Sequence, residues 1–389
     1  MAEKISFVSK NHIGWGSIQR LNEEAKALGA KKILVVTDPF LLELGMIGRI
    51  LDQLDPTFEI SLYSKVSPEP SLAIAEELVA YTRENNSELI IGIGGGSALD
   101  LAKIAAVLAT HDGQVKDFLN LTGTRQLENK GLPKILIPTT SGTGSEITNI
   151  GVLALDTTKD VITHDYLLAD VAIVDPELTL SLPPKITAST GVDALTHAIE
   201  AYVSVNASPT TDALAIKAIQ LISKSIRKAV WTGDDTQART DLSYGSYLAG
   251  LAFYNAGVAG VHALAYPLGG KFHIAHGESN AVLLPYVMGY IRSSCKKRMT
   301  DIYAAMGFNP IQLSEEEASI KCVEELGRLV KDVEIPLTLK EFNIEEIHLE
   351  ELTKDAVKQK RLLSRSPMPL LEKDIYLIYE AAYKGVYMH

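Results

Sequence analysis

The stretch LIIGIGGGSALDLAK, residues 89–103, constrains the fold more than any other. Its isoleucine-rich apolar run reads as a strand buried on both faces. Three glycines, Gly94, Gly95 and Gly96, end that run, and a helical pattern follows at once. Glycine accepts positive φ and lets backbone approach a ligand, at an entropic cost that three in a row make large. Ser97 reads as the N-cap of the helix and Asp100, three residues on, as its capping-box partner. Exposed amides at the helix start, with the positive end of its dipole, suit an anion such as a pyrophosphate. Neither the G-x-G-x-x-G pattern nor a Walker lysine is present, since position 97 is serine. A purely structural turn is the plain alternative.

The surrounding sequence repeats this strand–helix alternation. KKILVVTD (31–38), TFEISLYSKV (57–66) and PKILIPTT (133–140) read as strands, and PSLAIAEELVAYTRENN (70–86) and ALDLAKIAAVLATHDG (98–113) as helices. Strands separated by such helices imply a mostly parallel sheet covered on both faces. GVLALDT (151–157) and DVAIVDPEL (170–178) are expected to extend it at an edge. After SLPPKI (181–186) nearly every segment has helical period, as in 210–230, 315–333 and 372–386. The double proline marks the change. The expectation is an α/β dinucleotide-binding domain over 1–182 and an all-helical domain over 183–389, with ligands in a cleft past the strands' carboxyl ends.

A second polar loop, PTTSGTGSEITN (138–149), follows the next strand. The hydroxyls of Thr139, Thr140 and Ser145 suit a ribose, a phosphate or a carboxamide; an ordinary exposed loop is the alternative. Asp38 ends ILVVTDPF, where it can accept from an adenosine ribose or simply cap an Asp-Pro turn.

Three of nine histidines, His262, His273 and His276, crowd into HALAYPLGGKFHIAHGE (262–278). Upstream, TGVDALTHAIEAYVS (190–204) carries Asp193 and His197 four residues apart, one above the other on a helix. An apolar face of Ala194, Leu195, Ala198, Ile199, Tyr202 and Val203 occupies the rest of that wheel. With His262 on a second helix and His276 beyond it, one carboxylate and three imidazoles would surround an ion. Such a set suits Fe²⁺ or Zn²⁺ rather than Ca²⁺ or Mg²⁺. A lone histidine would more simply be a hydrogen-bonded core residue.

A net charge of −11 argues against a nucleic-acid or anionic-membrane partner. No stretch approaches the roughly 20 apolar residues of a membrane span, and the polar start, MAEKISFVSKNHIGWGS, lacks a signal peptide's apolar run. The two cysteines, Cys295 and Cys322, have no metal-type spacing and are too few for a disulfide framework. A cytoplasmic protein is expected.

The motifs GGGSALDLAK, IPTTSGTGSE, DVAIVDPEL, GVDALTHAIEAYVS and HALAYPLGGKFHIAHGESNAVLLP, in this order, resemble the iron-containing (group III) alcohol dehydrogenases, relatives of lactaldehyde reductase and 1,3-propanediol dehydrogenase. The likeness runs nearly end to end. It implies a Rossmann-like domain followed by a helical one, at least a homodimer, and iron held by Asp193, His197, His262 and His276, with zinc as the other ion. It also implies dinucleotide phosphates along the glycine turn at Gly95, Gly96 and Ser97, nicotinamide-side contacts from Thr139, Thr140 and Ser145, and an Asp38 that favours NAD over NADP. The implied reaction is reversible hydride transfer between a short-chain primary alcohol or diol and NAD⁺, yielding the aldehyde. Two departures stand out: Ala169 in LLAD, and Tyr266 where many members carry a second histidine four residues after His262. The candidates for the proton relay are then His273, Tyr266, the nicotinamide ribose and water, with His273 preferred because imidazole titrates near neutrality. A dehydroquinate-synthase-like lyase would need more basic residues than Lys271 around the site. A maleylacetate-reductase-like enzyme would be expected to lack the metal quartet. Phe253 and Tyr254, with Asn149 and Val152 after the Thr-rich loop, are candidate pocket walls, interdomain core being the alternative for the aromatics.

Overall fold

The computed structural model describes residues 4–155 and 159–388. Five of its strands are β1 (Lys10–Ile13), β2 (Lys32–Val36), β3 (Glu59–Tyr63), β4 (Leu89–Gly94) and β5 (Lys134–Pro138). Two more, β6 (Ile150–Ala154) and β7 (Lys159–Thr163), precede the last, β8 (Val171–Val174). Six of the eight form one sheet in the order β1-β8-β5-β4-β2-β3, with every neighbouring pair parallel.

Two expectations are corrected. The DVAIVDPEL strand, β8, is not an edge: it lies between β1 and β5. The GVLALDT strand, β6, does not join the sheet but pairs antiparallel with β7, and the last two residues of that stretch lie outside the described residues. The edge position next to β8 belongs instead to β1, whose KNHI sequence is too polar to read as a strand.

Alternate side chains divide the sheet between two layers, as the period of two requires. Ile33, Val35, Ile91, Ile93, Ile135, Ile137 and Ile173 form one buried cluster with Leu21, Leu41 and Ile47, which come from α1 (Leu21–Ala27), α2 (Pro39–Glu43) and α3 (Met46–Leu51). On the other face lie α4 (Leu72–Glu84) and α5 (Gly96–Leu108). A Cβ at Gly92 would come within 2.7 Å of Ala102, so α5 rests directly on β4. The chain leaves β2 toward β3 and β4 toward β5, in opposite directions across the sheet. Their adjacent carboxyl ends form a topological switch point, where parallel α/β sheets bind ligands.

The remaining helices are α6 (Pro184–Val203), α7 (Pro209–Trp231), α8 (Thr236–Ala256), α9 (Gly260–Phe272), α10 (His276–Ile291), α11 (Lys296–Ala305), α12 (Glu315–Asp332), α13 (Leu349–Ala356), α14 (Lys360–Leu363) and α15 (Glu372–Lys384). They build a single apolar core in which α6, α9 and α10 are central. Contacts separate two compact units, Phe7–Thr179 and Leu180–His389, the latter taking in Met1–Ser6. Ser6 is tied there by its amide, which donates to Asn255 Oδ1 at 2.8 Å. Among the described residues no single helix is long and apolar enough to cross a membrane.

Candidate metal centre and cofactor loops

Helix α6 is buried on nearly all sides from Thr187 to Val203, so its polar stripe lies in the core along with its apolar face. Asp193 and His197 sit one turn apart on that stripe. His262 is the third residue of α9, and His276 opens α10. A Cβ on Gly277 would lie 2.3 Å from the Ser189 carbonyl oxygen, so only glycine lets α10 start this close to α6. The result is that one donor atom from each of Asp193, His197, His262 and His276 lies within 4.8 Å of every other. The Nε2 atoms of His262 and His276 are both 3.8 Å from Asp193 Oδ1. The His197 ring is sandwiched between His262, at 4.6 Å, and Phe253, at 4.3 Å. His276, with 30% of its side chain exposed, is the accessible member; the Asp193 and His262 side chains are 2% and 3% exposed.

Burial works to raise the Asp193 carboxyl, but the imidazoles of His197, His276 and His262 and the amide of Asn280 hold it below the usual carboxylate range. A buried anion among nitrogen donors is the environment a borderline divalent cation needs, and one carboxylate with three imidazoles fits iron or zinc.

Two further side chains complete this centre. Glu200, wholly buried, accepts from His262 Nδ1 and from the Val261 amide, each at 2.6 Å. Asn280 donates to Asp193 Oδ1 at 2.7 Å and lies 3.2 Å from Nε2 of both His262 and His276. Neither was singled out from sequence, although helical spacing pointed to both. Glu200 follows Asp193 by seven residues and His197 by three, and Asn280 follows His276 by four.

In the α/β unit, Gly94 has φ +151°, which an L side chain rarely adopts. The helix cap departs from expectation: Gly95 is the N-cap of α5, without a side-chain hydrogen bond, and Ser97 lies inside the first turn. Gly95, Gly96 and Ser97 remain partly accessible between buried neighbours. The Asp100 carboxylate turns away from the helix start. It accepts from Ser145 Oγ at 2.6 Å and the Val152 amide at 3.0 Å, and lies 2.9 Å from the Lys103 amine. Lys103, wholly buried, donates to the carbonyls of Ser145 and Ile150. Asp100 and Lys103 thus lock the Thr-rich loop to α5.

The two loops also meet directly. The Thr139 amide donates to the Gly94 carbonyl at 3.0 Å. The nearest atoms to a Cβ on Gly95 would be those of Thr140, and on Gly96 those of Thr143, the latter at 2.7 Å. Thr140 is partly exposed beside the glycine turn, whereas Thr139 and Ser145 are buried. Asp38 caps α2 through Oδ1, which accepts from the Leu41 amide at 3.0 Å. Its Oδ2 lies 3.3 Å from where a Gly94 Cβ would stand, so the cap and the switch point share one carboxylate.

Of the two side chains among the proton-transfer candidates, Tyr266 is 9% exposed with its ring 6.2 Å from that of His276. His273 is exposed, caps the end of α9 in the left-handed conformation at φ +53°, and lies outside the group of four.

Residues 9–176 match the family model described as iron-containing alcohol dehydrogenase, and residues 187–383 match Fe-containing alcohol dehydrogenase family, C-terminal. The chain belongs to the iron-containing alcohol dehydrogenase family and is an oxidoreductase of that class. It is 67% identical to long-chain-alcohol dehydrogenase 1 of Geobacillus thermodenitrificans over 98% of this chain and 97% of that one. It is 35% identical to the NAD-dependent methanol dehydrogenase of Bacillus methanolicus, over 88% of this chain and 90% of that one. The solved alcohol dehydrogenase of Oenococcus oeni superposes with a TM-score of 0.94 at 34% identity, covering 98% of this chain and all of its own.

Proposed function

We propose that this enzyme interconverts primary alcohols or diols and their aldehydes with NAD(H), using iron, or zinc in its place, held by Asp193, His197, His262 and His276. The observation that carries this reading is the convergence of those four donors within 4.8 Å in a chain of this family. A bound divalent ion supplies Lewis acidity toward an alcohol or carbonyl oxygen. The accessible amides of Gly95, Gly96 and Ser97 bind the pyrophosphate at the α5 N-terminus, and Gly94 gives the turn its shape. Thr140 contacts the cofactor from the second loop. Thr139 and Ser145 act from beneath it, with Asp100 as the positioning residue that holds Ser145. Asp38 accepts from the adenosine ribose and repels a 2′-phosphate. Phe253, stacked on His197, keeps water from that side of the cluster.

The proton leaves through Tyr266 or His273; the ring of Tyr266 beside His276 and the exposed imidazole of His273 suit a relay that ends in solvent. A short-chain substrate accords with the methanol-dehydrogenase relative, and the relative named for long-chain alcohols brings longer chains into the candidate range. Cys295 and Cys322, both buried and unpaired, accord with a reducing compartment such as the cytoplasm. A homodimer is the smallest assembly proposed, and light scattering tests it. The function is tested with protein stripped of metal and reloaded with Fe²⁺ or Zn²⁺, offered NAD⁺ and primary alcohols of increasing length. NADH should form only after reloading; full activity in the stripped protein would refute the proposal.

A further inference from the structure

Glu200 has the geometry of a group that prepares one ligand for its ion. Both of its carboxylate oxygens are engaged, one by His262 Nδ1 and one by the Val261 amide, and no part of it reaches solvent. A carboxylate only accepts hydrogen bonds, so the proton on the His262 ring sits on Nδ1 and the lone pair is left on Nε2. Nε2 is the atom that faces Asp193 and Asn280.

Asn280 bears on the same tautomer. Its amide group must point its nitrogen at Asp193 Oδ1, 2.7 Å away, because two oxygens would repel there. With one hydrogen given to Asp193, that nitrogen has one left for two neighbours, Nε2 of His262 and Nε2 of His276, each at 3.2 Å, and a lone pair on His262 Nε2 accords with that position. Glu200 on α6 thus sets the protonation pattern of a histidine on α9, and Asn280 on α10 is compatible with it.

We infer that Glu200 is a positioning residue for the metal. It commits His262 to ligation through Nε2 and, with Asp193, supplies the two negative charges that balance a divalent cation in a buried site. Such outer carboxylates orient and strengthen histidine ligands, and losing one typically costs about 10–100-fold in metal affinity. The inference rests on the metal reading proposed above.

Glu200→Gln separates this role from simple helix packing. The glutamine oxygen still accepts from the Val261 amide, so the tie between α6 and α9 persists. Its NH₂ group now faces Nδ1, which must become the acceptor, and the ring proton moves to Nε2. Histidine-selective ¹⁵N NMR of metal-free protein reads this shift, with the His262 signal assigned by its loss in His262→Asn. Chelator competition with Zn²⁺ reads affinity without any need for turnover.

The expected result is an Nδ1 proton in the wild type, an Nε2 proton in Glu200→Gln, and Zn²⁺ binding about 10–100-fold weaker, partly restored in Glu200→Asp. Unchanged Zn²⁺ affinity in a folded Glu200→Gln protein would overturn the inference. So would a wild-type His262 found with its proton on Nε2, a measurement that does not depend on any variant folding. Wild-type protein that binds neither Zn²⁺ nor Fe²⁺ would instead sink the metal reading itself.

Discussion

Glu146, in the Thr-rich loop, allows a prediction whose size follows from its surroundings. The residue is 3% exposed. Burial raises its pKa from 4.5 to about 7, against the opposing effects of its own backbone amide and the Lys103 amine. The native protein therefore holds a proton that the unfolded chain gives up at lower pH. That contribution to stability is fully present below the unfolded value of 4.5 and is lost as pH rises through about 7. At about 1.4 kcal/mol per unit, the whole swing is about 3 kcal/mol, of which about 2.5 kcal/mol falls between about pH 5 and about pH 8. Glu146→Gln keeps the shape and stays neutral, so the variant should lose this swing. Native-state hydrogen exchange of the β5 amides reports local stability across that range. The variant should gain about 2.5 kcal/mol on the wild type from the acid to the alkaline end, and NADH affinity, weakening above neutrality in the wild type, should weaken less in the variant. Parallel stability profiles would refute the reasoning.

Lys134, wholly buried with no hydrogen-bond partner at its amine and Asp170 4.0 Å away, is depressed by burial from 10.5 to about 8. Wild-type stability should rise as pH climbs through that interval, and Lys134→Met should be more stable at neutral pH by up to about 3 kcal/mol, as thermal unfolding at both pH values will show. Asp38→Ala should weaken the preference for NADH over NADPH, measured as a ratio of kcat/KM values, at a cost of about 1 kcal/mol in the α2 cap. Tyr266→Phe and His273→Ala should both retain metal; the one that slows turnover roughly 10²-fold or more identifies the proton carrier, and metal loss in either would displace the ligand assignment.

The cluster of Asp193, His197, His262 and His276 was legible because a helix puts positions four apart on one face, and α6 obeys that rule deep in a core. Glu200 and Asn280 obey it too, yet sequence alone does not tell a buried carboxylate or amide from one in water. The strands β2 to β5 were legible from their apolar runs, whereas strand order was not. Periodicity marks β8 as buried, but its place between β5 and β1 depends on the path taken through the β6–β7 hairpin. Ser97 obeyed local preference on paper and lost to tertiary context. The helix begins at the glycines, and Asp100 is drawn to Lys103 and Ser145 instead of closing a capping box.

The buried Lys103 amine also bears on how such a chain can change over generations. It joins Asp100 on α5 to the backbone at Ser145 and Ile150, so positions 100, 103 and 145 form one unit of variation. A lineage that alters one of them without the others leaves a charge or a hydroxyl stranded out of water, which costs about 1–3 kcal/mol or more. Asp38 stands outside that knot: among the described residues its side chain bonds to the Leu41 amide in its own turn. On the cofactor reading proposed above, coenzyme choice would drift by a single replacement at position 38, while positions 100, 103 and 145 would have to change in concert or stay as they are.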